Sequence, residues 1–225
     1  MQSVGSQNHK LHWRHSLVSV RNEVWPLFSK PVYLTDVLMS DDETKTLLNH
    51  YNNSEFFKAR EEEDHAYSCD ITTNRQVLTE LPWLEQTIDD RFKQFSDEIM
   101  HYENDFKIVN SWYTRTFKGQ ETTYHIHANF MWTGSLYFGN DETYEQKISW
   151  RNYNTSGFYV PTKETNIYNA DEWHFPIRNN MVVFFPSEMY HTIVKNNHNT
   201  ERKSISFNML PIGDIAMGEA TVRFV

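Results

Sequence analysis

Two histidines set two apart, His125 and His127, are the first residues in this chain that could do chemistry. Thr122, Thr123 and Tyr124 precede them, a β-forming context. In a strand, alternate side chains share a face, so both imidazoles would stand together, with Tyr124 and Ile126 turned the other way. Neutral imidazole is the commonest nitrogen ligand for iron, zinc and copper. With 11 histidines in 225 residues such a pair also arises by chance, so the rest of the set decides. A third histidine, His191, closes the run Phe185-Pro186-Ser187-Glu188-Met189-Tyr190. Beyond it the chain alternates cleanly. Arg202, Ser204, Ser206 and Asn208 share one face, and Lys203, Ile205, Phe207 and Met209 share the other. A guanidinium and hydroxyls on one face are the groups that hold a carboxylate, through a bidentate fork and a further donor.

Other elements must position these groups. Pro26-Leu27-Phe28 and Pro31-Val32-Tyr33-Leu34 read as a short edge strand. Ser40-Asp41-Asp42-Glu43 has the form of a capping box and predicts a helix over about 41–52. Leu81, Leu84, Ile88, Phe92, Phe95 and Ile99 recur at helical spacing and predict an amphipathic helix over 81–101, with Pro82 in its first turn. From Phe106 the period changes to that of strands. Strands are expected over Ile108–Phe117, the His-x-His stretch, Thr133–Phe138, Ile148–Trp150, Met181–Pro186, Tyr190–Lys195, Lys203–Leu210 and Thr221–Val225. Residues 53–75, with the acidic run Glu61–Asp64, and 152–169 read as loops. Two helices followed by about eight strands predict an α+β chain, mainly β, whose second half is a closed or double-sheeted structure.

Residues 1–24 form a polar N-terminal tail or arm in which His9, His12 and His15 recur without a visible core; residues 25–225 form a single domain. The formal net charge of -9 argues against broad binding to nucleic acid, which needs a basic surface. One cysteine, Cys69, allows no intrachain disulfide and suits a reducing compartment. No apolar run approaches a membrane span, and Met1–Gly5 has no signal-like core, so a soluble, cytoplasmic protein is expected. A homodimer is left open.

The ordered set resembles the iron(II)- and 2-oxoglutarate-dependent oxygenases. It comprises His125-x-His127, the Phe-Pro-x-x-x-x-His that ends at His191, and Arg202-x-Ser204-x-Ser206-Phe207-Asn208. More narrowly it is similar to an oxygenase family common in phages and marine bacteria, in which a Ser-Gly-x-x-Tyr strand follows the His-x-His. Here that strand is Thr133-Gly134-Ser135-Leu136-Tyr137, and Asn110-Ser111-Trp112 resembles the strand before the motif. The likeness runs over about residues 106–210 and implies a double-stranded β-helix (jelly roll) there, with the helices packed on one sheet. It also implies Fe(II) and the cosubstrate 2-oxoglutarate, with dioxygen and an unidentified primary substrate as partners. A phage-encoded chain would work in the host cytoplasm.

By that resemblance His125 is the first metal ligand and His191 the distal one, and Arg202 with Ser204 binds the remote carboxylate of 2-oxoglutarate. Tyr137 and Asn208 join the cosubstrate's contacts, with an ordinary core tyrosine as the alternative for Tyr137. No catalytic residue beyond the metal ligands is implied. The departure is the middle ligand, since His127 fills the slot of an acid. Three histidines bind the metal, or the register shifts to His127-x-Asn129, or a carboxylate such as Asp141 arrives from elsewhere. The activity implied is oxidative decarboxylation of 2-oxoglutarate coupled to oxidation of substrate, most often hydroxylation. Two other readings stand beside it. One is a cupin-type three-histidine dioxygenase or hydrolase, which leaves Arg202-x-Ser204 without a role. The other is a non-catalytic jelly-roll binding module.

Overall fold

We describe a computed structural model of the chain, in residues 26–58, 69–143, 145–153, 160–216 and 218–224. The predicted tail 1–24 and the acidic run Glu61–Asp64 lie outside the described residues. The chain divides into a short unit, Met1–Lys30, and a large one, Pro31–Val225. All that follows concerns the large unit.

Two helices come early. Helix α1, Asp41–Asn52, starts at the predicted capping box. Glu43 N–H donates to Ser40 Oγ over 3.3 Å, and Ser40 N–H donates back to Glu43 over 2.8 Å. Helix α2, Pro82–Phe95, buries Leu84, Ile88, Phe92 and Phe95 at the expected spacing. It is shorter than the periodicity predicts. A π-turn over Ser96–Met100 closes on the left-handed His101, which swings Ile99 out of the apolar stripe to 63% exposure.

Seven strands form the main sheet. In chain order these are β1 (Tyr33–Asp36), β2 (Phe56–Lys58), β3 (Asp70–Thr72), β4 (Phe106–Thr116), β5 (Trp132–Tyr137), β8 (Met181–Pro186) and β10 (Arg202–Pro211). Their spatial order is β1-β8-β5-β10-β4-β3-β2, antiparallel throughout. A second sheet holds β6 (Gln146–Arg151) between β7 (Glu172–Ile177) and β9 (His191–Ile193). Two clusters divide the interior. Leu47, Leu84, Phe92 and Phe95 of the helices pack on Trp132, Phe184, Ile205 and Phe207 of the main sheet. Ile148 and Trp150 of the small sheet face Tyr137, Val183 and Phe185 of the large one. Two facing sheets with helices on one outer face make this a double-stranded β-helix, mainly β with N-terminal helices.

Several predicted boundaries need correction. The 53–75 loop contains β2 and β3, which widen the main sheet. The 172–177 segment is a strand that its half-exposed, Pro-containing sequence conceals. The C-terminal strand β12, Val222–Phe224, does not complete the barrel; it pairs with β11, Gly213–Ile215, in a separate ribbon. The His-x-His stretch is extended, but its strand pairing with β9 is limited to an isolated bridge between His125 and His191. Among the described residues no helix is long and apolar enough to cross a membrane.

Two side chains expose the tolerances of this packing. Gly134 lies opposite Phe207 on β10, and a Cβ there would collide with the Phe207 ring and stand 3.0 Å from Val183 O. Gly134→Ala is therefore expected to cost about 1–3 kcal/mol, read as a lowered midpoint in urea. On α2, burial first, then Glu85 and Asp90, push the Asp89 carboxyl up to about 7. Its Oδ1 is buried with no hydrogen-bond partner among the described residues. The unfolded carboxyl titrates near about 3.9. The folded state thus holds the proton longer, and stability falls as pH rises from about 4 to about 7. Asp89→Asn should raise Tm at pH 8, with the gain vanishing at pH 4.

Candidate metal centre

The three histidines meet where the two sheets open. His125 N–H donates to His191 O over 3.1 Å, and His191 N–H donates to His125 O over 3.0 Å. Two residues on, His127 N–H donates to Ser187 O over 2.9 Å. Alternate amides thus point one way along this short extended segment, and alternate imidazoles share a face as the sequence predicts. Threonines fasten the same segment to β9, where Ile193 N–H donates to Thr122 Oγ1 over 3.0 Å. Tyr124, on the opposite side, donates its hydroxyl proton to Glu172, which also accepts from Ser149 and Arg151.

One nitrogen from each of His125, His127 and His191 lies within 4.8 Å of the other two. The other ring nitrogen is committed outward in every case. His125 Nδ1 reaches Thr123 O at 2.8 Å, and His191 Nδ1 reaches Met189 O at 3.0 Å. A carbonyl oxygen only accepts, so each Nδ1 must carry the proton. His127 Nδ1 donates to Asn208 Oδ1 at 2.5 Å. That amide is oriented in turn, because Thr133 donates to its oxygen and its nitrogen donates to Asn110. The proton is therefore fixed on Nδ1, and Nε2 is left as a lone pair in all three rings. The Nε2 atoms of His125 and His127 face each other across 3.2 Å with no proton between them.

Burial keeps the rings neutral. It lowers the pKa of His125, takes His127 down to about 4 and holds His191 well below its ordinary range, helped in the last two by neighbouring histidines. Three neutral, converging lone pairs repel one another and attract a cation. Nitrogens about 2.1 Å from a shared ion and at right angles lie about 3 Å apart, which matches the spacing of His125 and His127. The donor set fits a divalent first-row metal, with oriented outer partners of the kind such centres use.

The alternatives for the third ligand lie elsewhere. Asn129 is an exposed turn residue in the left-handed region, and Asp141 lines a surface hollow with Glu142, Glu145 and Arg178. His174 is partly exposed beside Glu172. Among the described residues no carboxylate joins the three histidines.

A cavity of about 560 Å³ opens in front of them. Paired side chains of β10 and β5 step down one side of it, Asn208 with Thr133, then Ser206 with Ser135, then Ser204 with Tyr137. The cavity wall includes Asn208, Ser206 and Ser135 but stops there. Ser204, Tyr137 and Arg202 are buried one step deeper. Arg202 donates to Val194 O over 2.7 Å, and it pairs across the sheet with Thr116. Tyr137 Oη has no hydrogen-bond partner among the described residues; burial raises its pKa, and Arg202 is near enough to oppose that shift. The rest of the lining beyond β10, Phe57, Ile71, Arg75, Trp112 and Phe130, was not read from the sequence. Only the alternation of Asn110, Trp112 and Thr114 along β4 carries a signal for part of it.

Residues 110–208 match the family described as "Putative 2OG-Fe(II) oxygenase", a span that holds the three histidines, Tyr137, Arg202 and Ser204. No curated protein matches the chain by sequence. Among solved structures, a 2OG-Fe(II) oxygenase family oxidoreductase from Burkholderia pseudomallei superposes with TM-score 0.55. It has 12% identity over 79% of this chain and 84% of its own. A Pseudomonas putida prolyl-4-hydroxylase gives 0.50 and 13%, over 80% and 93%. HygX from Streptomyces hygroscopicus, solved with nickel, 2-oxoglutarate and hygromycin B, gives 0.54 and 8%, over 81% and 83%. The resemblance to the iron(II)- and 2-oxoglutarate-dependent oxygenases is thereby shown, by a family match over the segment that carries the site and by a shared fold. The family implies Fe(II) and 2-oxoglutarate.

The hydrogen bond behind His127 gives a direct expectation. Asn208→Ala removes the acceptor that fixes the ring and should weaken metal binding about 10- to 100-fold. His191→Ala should abolish stoichiometric binding, and His174→Ala should leave it intact. Isothermal titration with Mn(II) measures all three; unchanged affinity in Asn208→Ala would show that the amide does not orient the ligand.

Proposed function

We propose that this chain is an iron(II)- and 2-oxoglutarate-dependent oxygenase of the hydroxylating type. His125, His127 and His191 would hold the metal. Arg202, with Ser204 and Tyr137, would receive the remote carboxylate of 2-oxoglutarate. The observation that supports this most is the convergence of three proton-free Nε2 atoms at the head of a polar ladder that leads to a buried arginine. A metal on three imidazoles keeps three positions for a bidentate 2-oxo acid and dioxygen. Bound there, iron(II) supplies the coupling of dioxygen reduction to decarboxylation of 2-oxoglutarate, giving succinate, carbon dioxide and an oxidised substrate.

The chain's own residues do the rest. Outward hydrogen bonds from each Nδ1 hold the imidazoles in place, so no reorganisation is needed on binding. Ile148, Ile193 and Phe130 line the cavity and keep water from the reacting atoms. The guanidinium of Arg202 already has one hydrogen fixed on Val194 O, which orients its plane. Ser204, two residues along the same face, offers a further donor. Asn208 belongs to both walls of the problem, because it borders the cavity and accepts from His127.

Anaerobic titration of the iron-loaded protein with 2-oxoglutarate, followed by its visible charge-transfer band, tests the reading. Each charge-assisted bond contributes roughly 1.5–3 kcal/mol, so Arg202→Ala should weaken 2-oxoglutarate about 10- to 100-fold. Lysine should restore part of this, because it makes no fork. Equal binding by wild type and Arg202→Ala, or a wild type that takes up iron and shows no band, would favour the cupin-type three-histidine reading.

A further inference from the structure

The part of the cavity wall that continues the main sheet beyond β10 has a chemistry of its own. It is built by Phe57 of β2, Ile71 of β3, Trp112 of β4 and Arg75, just beyond β3. Among the described residues no aspartate or glutamate lines the cavity, although the chain carries a formal net charge of -9. Arg75 is the one lysine or arginine among the described residues that line it. Four other arginines, Arg115, Arg151, Arg178 and Arg223, each pair with a carboxylate, whereas Arg75 has no such partner among the described residues. It is nonetheless held. Ser111 N–H donates to Arg75 O over 2.8 Å, which ties the residue to β4. The guanidinium carbon sits 5.5 Å from the Phe57 ring and 5.7 Å from the Trp112 ring, within the range of cation–π attraction. Partial burial lowers its pKa, the mark of a charge drawn out of water.

The position relative to the metal centre is also defined. The Trp112 ring that Arg75 approaches also lies 5.7 Å from the His127 ring. Arg75 is therefore one indole away from the histidines. Arg202 lies beneath the cavity floor on β10 and does not border that wall. An arginine spread over aromatic faces keeps its N–H edge open for a planar anion, because stacking and edge-on hydrogen bonding use different parts of the group.

We propose that the primary substrate carries a carboxylate or phosphate held by Arg75, with a planar or apolar body laid on Trp112 and Phe57 so that an adjacent carbon reaches the metal centre. This rests on the oxygenase reading and names the class of its substrate. The fork of Arg75 selects the anion, and no described residue of the wall carries a carboxylate that would repel it. Neutral compounds of the same shape lose the charge-assisted bonds and leave the guanidinium without a counter-charge.

The test uses protein loaded anaerobically with iron(II) and 2-oxoglutarate. It is titrated calorimetrically with 3-phenylpropionate, phenyl phosphate and the neutral 3-phenylpropanamide. Wild type should bind at least one of the anions at least about tenfold more tightly than the amide, and the better anion decides between carboxylate and phosphate. Arg75→Gln should abolish that preference, and Arg75→Lys should restore part of it. Arg75 is an exposed residue, so its replacement leaves the core intact, and a thermal melt checks that each variant is folded. No preference in wild type, including no binding of any probe, overturns the proposal. So does a preference that survives in Arg75→Gln. The charge-transfer band in the same samples separates the two levels. Its absence in wild type contradicts the oxygenase reading itself. Its loss in Arg75→Gln alone would assign Arg75 to 2-oxoglutarate and overturn the substrate assignment.

Discussion

Three outward hydrogen bonds, one from each histidine's Nδ1, fix the protons of the site, and its chemistry depends on them. Thr123 O, Met189 O and Asn208 Oδ1 can only accept, so the rings must donate. Each Nε2 then faces inward as a lone pair. Burial reinforces the arrangement by making imidazolium costly. The backbone holding these acceptors is itself paired, through the reciprocal His125–His191 bridge and the bond from His127 to Ser187. A jelly roll suits this task because its sheets bring 125–127 and 187–191 side by side from distant parts of the chain.

His127 stands where the resembled family places an acid, and the substitution has electrostatic consequences. Three neutral ligands leave the full charge of a divalent ion, where an acid would cancel one unit. On the proposed reading, such a centre would attract a dianionic cosubstrate more strongly and would tolerate anions nearby. The cavity wall is consistent with this, since no described residue that lines it is a carboxylate. The carbonyl oxygen of Asn208 accepts the hydrogen bond from His127 Nδ1 and so does what a carboxylate behind a histidine often does, without adding charge.

Much of the site was legible because it obeys short periods. His125 and His127 share a face by the two-residue rule even though the segment is extended chain with a single bridge. Arg202, Ser204, Ser206 and Asn208 share theirs along a true strand, with Ile205, Phe207 and Met209 in the helix-facing core. The capping box at Ser40 and the stripe from Leu84 to Phe95 fixed both helices by local physics. What was hidden depends on contacts between distant segments. Strands β2 and β3 are three residues each; they pair with one another and join the sheet through β3 against β4, so no run of periodicity announces them. β7 alternates weakly because it is a half-exposed edge. Ile99 looked apolar and periodic, but the π-turn changes the angular step at that point. The role of Asn208 behind His127 joins residues 81 apart, and no spacing rule reaches that far.

The central claim is that three imidazoles and no carboxylate bind the metal. X-ray absorption at the iron edge of the anaerobically loaded protein counts these ligands directly. The account predicts an outer-shell scattering pattern fitted by three imidazole rings in wild type and by two in His127→Ala. Two rings in both proteins, with a carboxylate completing the shell, would contradict it.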